Sequence, residues 1–380
     1  MNICMYTDTF LPDVGGAELM LDNLAARFAE RGHRVLVLAP QVRGKDNNLQ
    51  RNYQLVRYRR PFSKRFLARQ TLPRLLALHC RHRFDLIHCH AAYPQAYVAH
   101  TLKRWLGLPV VVRPHGTDVI EGELIRRHPL LDARLRATLP SVDAVIAQGR
   151  FLADIAGQLG VPTDRTCVIH NGVDVAAYRG QLCATEDRPY LLTMSNLRRR
   201  KGVDVLLRAF AQLQNADVDL VIAGRGSQEG ELRKLAESLR LGSRVRFIGQ
   251  VFGGQKRALF RNAVAYVCPS RREPFANVIL EALAAELPVV ATAVGGNLEM
   301  VEPAVNGLLV PPDDVSSLAQ ALDSLLADDE RRGRLAAQSS RRAADFDWSV
   351  ITSQYLAVYE QVLAGGALQQ PMATVTPDAA

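Results

Sequence analysis

The stretch YLLTMSNLRRRKGVDVLLRAFAQ, residues 190–212, decides the fold. It begins with the short apolar segment Tyr190–Met194, which is typical of a buried strand. A polar loop, Ser195–Gly202, follows, and apolar residues then recur at helical spacing over Val203–Gln212. A strand, a loop and a helix in this order form the repeating unit of α/β proteins with parallel sheets.

Short apolar segments that predict strands recur along the whole chain, with helical patterns between them. In the first half they are Ile3–Tyr6, Val35–Ala39, Leu86–Cys89, Val110–Val112, Ala144–Ala147 and Cys167–Ile169. In the second half they are Tyr190–Met194, Leu220–Ala223, Val245–Ile248, Ala265–Cys268, Val289–Thr292 and Leu308–Val310. This alternation predicts an α/β protein with two parallel sheets, each covered by helices on both faces.

The 380 residues therefore divide into two predicted Rossmann-like domains, because one core rarely grows to this size. We expect the first domain over residues 1–180 and the second over residues 181–345, with a polar boundary stretch at residues 181–189. The apolar pattern of Trp348–Leu363 predicts a last helix within residues 346–365. The small and polar residues 366–380 predict a disordered tail.

Composition narrows the class of protein. Apolar residues make up 48% of the chain, but no apolar run is long enough to span a bilayer. The first residues form a strand pattern and not a signal peptide, so we expect a cytoplasmic protein. The cysteines are Cys4, Cys80, Cys89, Cys167, Cys183 and Cys268. They include no CxxC pair, which favours reduced thiols over a disulfide framework or a zinc site.

The net charge of +9 is unevenly distributed. The stretch Arg51–Phe84 contains ten Lys or Arg residues and no Asp or Glu. Among these charges lie Phe62, Phe66, Leu67, Leu72, Leu75 and Leu76. A basic and apolar helix suits an anionic membrane surface, so Arg51–Arg83 is a candidate for peripheral binding at the inner face of the membrane. A solvated helix face explains the same charges. Nucleic acid is not an expected partner, because no recognised module accompanies the charge.

Candidate chemistry lies at the predicted carboxyl ends of the strands, where open parallel sheets bind ligands. The segment EPFANVILE, residues 273–281, places Glu273 in a loop and Asn277 at the N-cap of a helix over Val278–Glu286. Glu281 lies about one turn into that helix. The helix N-terminus suits a phosphate or sugar hydroxyls, and the two carboxylates could hold hydroxyl groups on either side of a diphosphate. A surface glutamate and a loop charge are the alternative explanation.

The loop Ser195–Gly202 supplies cations at the same predicted edge. Fixed cations and helix-end amides can stabilise a leaving nucleoside diphosphate without a metal. A basic surface run is the alternative. The glycine-rich segments Gly15-Gly16 and Gly224-Arg225-Gly226 follow strands and allow close approach of the backbone to a ligand, although a glycine often only closes a turn.

Histidines at the ends of predicted strands are candidates for catalysis or for metal binding. His115 follows Val110–Val112 and is either a buried residue with satisfied partners or a catalytic group. In a strand, His88 and His90 face one way and Cys89 the other, so we expect no metal site. The GxGxxG, GxxxxGK[ST] and GxSxG motifs are missing from the sequence, which removes the main support for a dehydrogenase, a P-loop protein or a serine hydrolase.

Taken in order, these motifs resemble those of the family-4 retaining glycosyltransferases of the GT-B fold. The matching segments are Gly15–Glu18, Arg31–Val35, His115–Asp118, His170–Asp174, Glu273–Glu281, Pro288–Thr292 and Gly295–Gly296. The resemblance implies two doubly wound Rossmann-like domains that face a central cleft, with the acceptor on the N-terminal side. It also implies that the last helix crosses back to the N-terminal domain. The implied activity is that of a metal-independent hexosyltransferase, EC 2.4, for which the nucleotide sugar is a substrate and no cofactor is needed.

The resemblance also implies roles for individual residues. The implied catalytic residues are His115, Lys201 and Glu273. The implied donor-binding residues are Gly15, Gly16, Asn196, Arg198, Lys201, Gly224, Ile248, Gly249, Phe275, Ala276, Asn277, Val278 and Glu281. Glu281 is expected to hold the ribose hydroxyls and Lys201 the diphosphate. Asn196 stands where the family usually has Arg, and Arg198 is the candidate for the missing charge.

For substrates, the resemblance implies a UDP-sugar as donor, with GDP-mannose as the second choice. The expected acceptor is a cell-envelope glycan or a lipid-linked saccharide, and a small-molecule acceptor stays open. Retention without an evident nucleophile on the enzyme suggests a front-face path, in which the leaving phosphate accepts the acceptor's proton. Two other functions fit the same sequence: a nucleotide-sugar epimerase of the same fold, and a catalytically degenerate binding subunit.

Overall fold

The computed structural model describes residues 1–12, 15–42, 50–59, 67–180, 188–214 and 217–369. The chain forms two compact units. Unit 1 comprises Met1–Asn171 and Trp348–Ala380, and unit 2 comprises Gly172–Asp347. The chain therefore enters unit 2 after Asn171, ahead of the boundary predicted at residue 180, and returns to unit 1 at Trp348.

In the described part of the chain, unit 1 contains a parallel sheet of seven strands. They are β1 (Asn2–Thr7), β2 (Arg34–Pro40), β3 (Gln54–Tyr58), β4 (Leu86–His90), β5 (Val110–Val112), β6 (Ala144–Ala147) and β7 (Thr166–Val168). Their order in the sheet is β3-β2-β1-β4-β5-β6-β7. The winding direction reverses between β1 and β4, and a sheet of this kind binds ligands beyond its carboxyl ends at that point.

The sheet of unit 1 is covered on both faces. Its helices before the crossing into unit 2 are α1 (Gly16–Glu30), α2 (Leu67–His82), α3 (Gln95–Leu106), α4 (Leu124–Arg127), α5 (Pro129–Thr138) and α6 (Arg150–Gln158). Alternate residues of β1 enter opposite hydrophobic layers: Cys4 and Tyr6 pack into one, and Ile3 and Met5 into the other. Strands that are buried on both faces consist of consecutive apolar residues, and most strands of this sheet could therefore be predicted from the sequence.

Helix α2 belongs to the basic and apolar stretch proposed for membrane binding. The side chains of Phe62, Phe66 and Leu67 lie outside the described residues. Leu75 is fully buried, and Leu72 and Leu76 pack against the same core layer. Leu75 therefore belongs to the core of unit 1, and Leu72 and Leu76 are partly buried against it. Binding of the stretch Arg51–Arg83 to a membrane surface stays a prediction. Within the described ranges, no helix has the length and apolar character needed to cross a bilayer.

Unit 2 repeats the plan with a parallel sheet of six strands among its described residues. They are β8 (Tyr190–Met194), β9 (Asp219–Ala223), β10 (Val245–Gly249), β11 (Ala265–Cys268), β12 (Val289–Thr292) and β13 (Gly307–Val310). Its helices are α7 (Val175–Tyr178), α8 (Val203–Phe210), α9 (Glu229–Ser238), α10 (Gly253–Asn262), α11 (Asn277–Ala284), α12 (Asn297–Met300), α13 (Val315–Leu326) and α14 (Asp329–Ala344). The strand order β10-β9-β8-β11-β12-β13 reverses between β8 and β11.

The last helix, α15 (Trp348–Leu363), completes the hydrophobic layer of unit 1 that holds α1. The Tyr359 ring lies 5.5 Å from the Phe28 ring, measured between centroids. The Arg31 guanidinium donates a hydrogen bond of 2.8 Å to the carbonyl of Ser349. Of the predicted tail, residues 370–380 lie outside the described residues, whereas the Leu368 amide donates to the carbonyl of Asp164 at 2.8 Å.

Candidate active site

At the carboxyl edge of the sheet in unit 2, three loops touch because two positions carry no side chain. Gly202 ends the loop after β8 with a φ of +66°, and a Cβ there would lie 1.9 Å from the carbonyl oxygen of Pro269. Gly295 has a φ of +47°, and its Cβ would lie 2.1 Å from the carbonyl oxygen of Glu273. Both close approaches are open only to glycine. They bring the loops after β8, β11 and β12 together.

This packing places two of the predicted catalytic residues in contact. The Lys201 ammonium donates a hydrogen bond to Oε2 of Glu273, and the two form an ion pair. The Ser270 hydroxyl donates to the same oxygen at 3.3 Å. The side chains are 13% exposed for Lys201 and 5% exposed for Glu273. A carboxylate and a cation on two adjacent loops thus form one charged pair at the strand ends.

Arg271, which the sequence did not single out, fixes the loop that carries Lys201. Its guanidinium donates to both carboxylate oxygens of Asp204 at 2.7 Å and to the carbonyl of Arg199 at 2.7 Å. It also donates to Asp313 at 2.5 Å, while its own backbone amide donates to the carbonyl of Arg200 at 2.8 Å. The hydrogen bonds that Arg271 donates to Asp204 raise the pKa of the guanidinium. A planar bidentate contact of this kind restricts orientation as well as distance.

Helix α11 begins beside Glu273. Its N-cap is Ala276 and its first residue is Asn277, so the prediction that Asn277 caps the helix was wrong. Ala276 makes no side-chain cap, and both Phe275 and Ala276 are buried. The backbone amides of Asn277 and Val278 lie in the first turn, where helix geometry provides no intrahelical acceptor. This end of the helix carries the partial positive charge that favours a phosphate.

Glu281, one turn further along α11, receives two partners from outside its helix. The Lys256 ammonium on α10 donates to Oε1 of Glu281 at 2.6 Å. Burial raises the pKa of Glu281, while Lys256 and the Tyr178 hydroxyl oppose that rise. The other oxygen, Oε2, is buried and makes no hydrogen bond to the described residues. Neither Lys256 nor Tyr178 was among the residues predicted for the site.

The remaining donor-binding candidates of unit 2 surround these groups. Asn196 and Arg198 are exposed on the loop that leads to Lys201. The amide of Gly224 donates to the carbonyl of Gly249 at 2.7 Å, which joins the ends of β9 and β10. Ile248, next to Gly249, is half-buried on β10. Asn196, Arg198 and the N-terminus of α11 therefore lie at the strand-end edge together with the glycine turns at Gly224 and Gly249.

Unit 1 contains the other predicted site residues. Gly15 is the extended N-cap of α1, and Gly16 is the first residue of that helix. The Gly15 carbonyl accepts a hydrogen bond of 3.1 Å from the amide of Leu19. A Cβ on Gly15 would lie 2.4 Å from a carboxylate oxygen of Glu18. The Glu18 side chain therefore folds back over Gly15. The pair thus forms a helix N-terminus with an acidic residue in its first turn.

His115 follows β5 in a loop organised by Asp118. One Asp118 carboxylate oxygen accepts from the amides of His115 and Gly116, both at 3.0 Å, and the other accepts from the amide of Ala92 at 2.6 Å. Burial lowers the pKa of His115 to about 3, and the positive charge of Arg113 lowers it further. The imidazole is therefore neutral at physiological pH, and a neutral imidazole can both donate and accept a hydrogen bond.

Behind His115 lies a fully buried cation that the sequence did not reveal. Arg113 is 0% exposed, and its guanidinium donates to the hydroxyl of Tyr355 on α15 and to the amide oxygen of Asn171. It also donates to the carbonyl of Ile169 at 3.1 Å. These contacts tie β5 to the last helix and to the final residue before the chain enters unit 2.

A row of histidine rings adjoins this cation. The His88 and His90 rings are 4.2 Å apart, and the His90 and His115 rings are 5.8 Å apart. His88 accepts or donates a hydrogen bond of 2.5 Å with the Tyr359 hydroxyl. Cys89 packs into the opposite hydrophobic layer, as the alternation of strand side chains predicted. The described ranges contain no group of three or more His, Cys, Asp or Glu residues placed to hold a metal ion.

Comparison with known proteins decides the family. Residues 14–177 match the family described as Glycosyltransferase Family 4, and residues 174–342 match Glycosyl transferases group 1. D-inositol 3-phosphate glycosyltransferase 1 of Catenulispora acidiphila is 31% identical over 93% of this chain and 92% of its own length. The chain is a family 4 glycosyltransferase. The family predicted from the motifs is confirmed.

Other relatives of this glycosyltransferase extend the comparison. N-acetyl-alpha-D-glucosaminyl L-malate synthase of Bacillus anthracis is 26% identical over 93% of this chain and 96% of its own length. Anabaena Alr3699/HepE, solved in complex with UDP, has a TM-score of 0.82 at 23% identity and covers 95% of this chain and 100% of its own. Sucrose-phosphate synthase of Thermosynechococcus elongatus has a TM-score of 0.81 at 24% identity, over 96% and 100%. The predicted GT-B fold, with two Rossmann-like units, is confirmed.

Proposed function

We propose that this glycosyltransferase moves a sugar from a nucleotide-sugar donor to an acceptor hydroxyl, with retention of the anomeric configuration and without a metal. The observation that carries the proposal is the set of groups at the strand ends of unit 2: the Lys201–Glu273 pair, the N-terminus of α11 and the carboxylate of Glu281. A UDP-sugar is the first choice of donor and GDP-mannose the second. The relative Anabaena Alr3699/HepE, solved in complex with UDP, supports this order.

In this proposal the diphosphate binds between Lys201 and the first turn of α11. An ammonium has three N–H donors, and Glu273 uses one of them, so donors remain for phosphate oxygens. Negative charge develops on the leaving diphosphate as its bond to the sugar breaks. Fixed cations and helix-end amides stabilise that charge without reorganising. Arg198, exposed on the same loop, supplies the positive charge that is missing at Asn196.

The two carboxylates and the histidine then bind hydroxyl groups. Glu273 accepts from hydroxyls of the donor sugar, and Glu281 accepts from the ribose through its unpaired Oε2. A neutral His115 is the hydrogen-bonding group that unit 1 contributes in this proposal. No side chain is assigned as the attacking nucleophile. The leaving phosphate itself takes the proton of the acceptor hydroxyl, and the new bond forms on the face from which the diphosphate departs.

For the acceptor, we favour a hydroxyl compound that carries a phosphate or a carboxylate. Two relatives that align over nearly their whole length have names that specify D-inositol 3-phosphate and L-malate. A third, 37% identical over about half of each chain, is named phosphatidyl-myo-inositol mannosyltransferase and keeps a lipid-linked acceptor open. D-inositol 3-phosphate and L-malate would be small-molecule acceptors. Phosphatidyl-myo-inositol would be a lipid-linked acceptor of the cell envelope.

The test is a transfer assay with UDP-, GDP- and ADP-sugars against D-inositol 3-phosphate, L-malate and phosphatidylinositol, each with and without EDTA. We expect one donor and acceptor pair to give an α-linked product from an α-linked donor, at the same rate in EDTA. NMR spectroscopy of the anomeric proton reports the configuration. Glu281→Ala should weaken the binding of the donor.

Several outcomes contradict this proposal. An inverted product, or strict dependence on a divalent metal, would exclude the mechanism. An altered donor sugar released without any acceptor would identify an epimerase. Binding of the nucleotide sugar with no turnover on any acceptor would favour the degenerate binding subunit.

A further inference from the structure

A cavity opens at the amino edge of the sheet in unit 1, the edge opposite the one that carries His115. Its volume is about 380 Å³, and small-molecule sites in proteins typically measure about 300–1,000 Å³. The starts of β1, β2 and β3 line it side by side, since Asn2 pairs with Arg34 and Leu36 pairs with Gln54. The end of α2 also lines it. The proposed transfer uses none of these residues.

The lining of this cavity is basic. Arg34 and Arg81 are exposed, and neither side chain makes a hydrogen bond or an ion pair with the described residues. The half-buried His33 and His82 add two imidazoles. Among the described residues of the lining there is no Asp or Glu. Two guanidiniums therefore keep their N–H donors for an anion from outside the chain.

The negative groups beside the cavity already have partners. A carboxylate oxygen of Asp85 accepts from the backbone amide of Asn2 at 2.7 Å. The Asn2 side chain in turn donates to the carbonyls of His82 and Arg83 at the end of α2, at 3.4 and 3.2 Å. These contacts satisfy carbonyls at the end of the helix that carries partial negative charge.

The buried side of the cavity is aromatic, and amide side chains lie at its rim. Tyr53 and Phe84 are buried, and the Phe84 ring stacks on the His82 ring with the centroids 5.9 Å apart. The exposed Asn52 uses its amide nitrogen to donate to the carbonyl of Ala26 at 2.9 Å, so its amide oxygen can accept from a ligand. Gln54, also exposed, makes no side-chain hydrogen bond to the described residues. Hydroxyl groups of a ligand thus find partners next to the cations.

We propose that this cavity is a second ligand site, which binds a small hydroxylated phosphomonoester through Arg34 and Arg81. A guanidinium presents parallel N–H donors that match two phosphate oxygens. A phosphomonoester at pH 7.5 carries nearly two negative charges on three free oxygens, so it can bond both arginines, whereas a carboxylate has one charge and two oxygens. The same group occurs in free phosphate esters and in the headgroup of phosphatidic acid.

The experiment compares these two sources of the phosphate group. Calorimetry at pH 7.5 measures the affinity of the full chain for glycerol 3-phosphate and for inorganic phosphate. Flotation measures its binding to phosphatidylcholine vesicles with and without phosphatidic acid. We expect glycerol 3-phosphate to bind more tightly than inorganic phosphate, because Asn52 and Gln54 can bond its hydroxyl groups.

Variants of the two arginines test the assignment. Arg34→Met and Arg81→Met should each weaken binding about tenfold or more, which is the effect of losing a hydrogen bond between charged groups. Arg104→Met is the matched control, because Arg104 is an exposed arginine on α3 that does not line the cavity. It removes the same charge and should leave the affinity within about twofold. Circular dichroism checks that each variant is folded.

Each result supports or overturns the inference. Arginine-dependent binding of glycerol 3-phosphate alone identifies a soluble ester as the ligand, and arginine-dependent binding to the phosphatidic acid vesicles alone identifies the lipid. Arginine-dependent binding of both shows that the phosphate group suffices. Binding of neither, or an affinity that Arg34→Met or Arg81→Met leaves unchanged, would overturn the inference.

A further variant separates this cavity from the proposed donor site. The double variant Lys201→Met, Glu273→Gln should bind glycerol 3-phosphate as the parent does, because both residues belong to unit 2. Loss of binding in that variant, with full binding in Arg34→Met, would place the phosphate at the donor site. A parent chain without transfer activity would remove the proposed function, and arginine-dependent binding at the amino edge would stand.

Discussion

The ammonium of Lys201 is hydrogen-bonded to the carboxylate of Glu273, so the cation proposed for the diphosphate already has an anion as its partner. The pair carries no net charge. Attraction of a diphosphate therefore depends on further donors: the remaining N–H groups of Lys201, the first turn of α11 and the exposed Arg198. Because the same two residues join the loops and are proposed to bind the donor, a change in either residue should affect both stability and activity.

Removing one member of this pair should destabilise the protein. Lys201→Ala leaves Glu273, which is 5% exposed, as an unpaired buried charge, and the expected loss of unfolding free energy is about 3 kcal/mol. The double variant Lys201→Met, Glu273→Gln removes both charges and should recover most of that loss. Urea unfolding of the single and double variants measures the difference. A Lys201→Ala variant as stable as the parent would show that the pair contributes little, and both variants should have lost transfer activity.

The contact between the loops after β8 and β11 should depend on Gly202. Gly202→Ala imposes a Cβ at a φ of +66° and 1.9 Å from the Pro269 carbonyl, so we expect a loss of about 1–3 kcal/mol in unfolding free energy and a weaker affinity for the donor. Gly333→Ala is the control. Gly333 lies exposed within α14 with open space around its Cα, and its replacement should stabilise the protein by about 0.5–1 kcal/mol. The same change in stability for both variants would argue against a close loop contact.

Acid should destabilise the protein through its buried histidines. Burial lowers the pKa of His115 to about 3 and the pKa values of His88 and His90 well below the usual range. The unfolded chain therefore binds more protons than the folded chain at pH values between about 6.5 and the folded pKa values. Stability from these groups is complete above about pH 6.5 and falls as the pH falls through that window.

Replacing His115 measures how much this one histidine contributes to the pH dependence of the unfolding free energy. His115→Asn should reduce the slope of unfolding free energy against pH by up to about 1.4 kcal/mol per pH unit between pH 6 and 4, the value for one proton. Urea midpoints over pH 4–8.5 provide the measurement. The difference between variant and parent should be constant above pH 7.5, where the imidazole is neutral in both states. An unchanged slope at acid pH would mean that His115 is protonated in the folded protein.

The buried Arg113 should make the last helix an energetic part of unit 1. Tyr355→Phe removes the hydroxyl that accepts from this guanidinium, and the expected cost is about 1.5–3 kcal/mol, as for a hydrogen bond to a charged group. Tyr97→Phe provides the comparison, because the half-buried Tyr97 contacts Arg134 through its ring, and its hydroxyl makes no hydrogen bond to the described residues. Thermal unfolding of both variants distinguishes them. Equal stabilities would mean that the Arg113 contact adds nothing.

Much of the fold could be predicted because parallel strands are buried on both faces. Tyr190–Met194, Ala265–Cys268 and Val289–Thr292 are strands at the residues predicted from their apolar runs. The strand Gln54–Tyr58 was missed. It lies at the edge of the sheet with its first residue exposed and the next three half-buried, so it contains an arginine and a glutamine and lacks a continuous apolar run.

The site was predictable in its residues and less so in its contacts. Glu273, Glu281 and Lys201 stand in short motifs, and the resemblance to a family supplied their roles. Lys256 and Arg271 were not found, because an isolated basic residue on a helix or loop looks like any surface charge in the sequence. Only the folded chain brings each to its carboxylate partner, 25 residues away for Lys256 and Glu281 and 67 residues away for Arg271 and Asp204. Charges paired across such separations leave no periodic signal.

The return of the chain to unit 1 has a consequence for biosynthesis. The ribosome makes the seven described strands of unit 1 first, then all of unit 2, and only afterwards the helix Trp348–Leu363. Until that helix emerges, the rings of Phe28 and His88 and the guanidinium of Arg113 lack the tyrosines that cover them. Unit 2 has no such dependence, since its residues are continuous. The second half of the nascent protein can therefore reach its native packing while the first half is still waiting for its final segment.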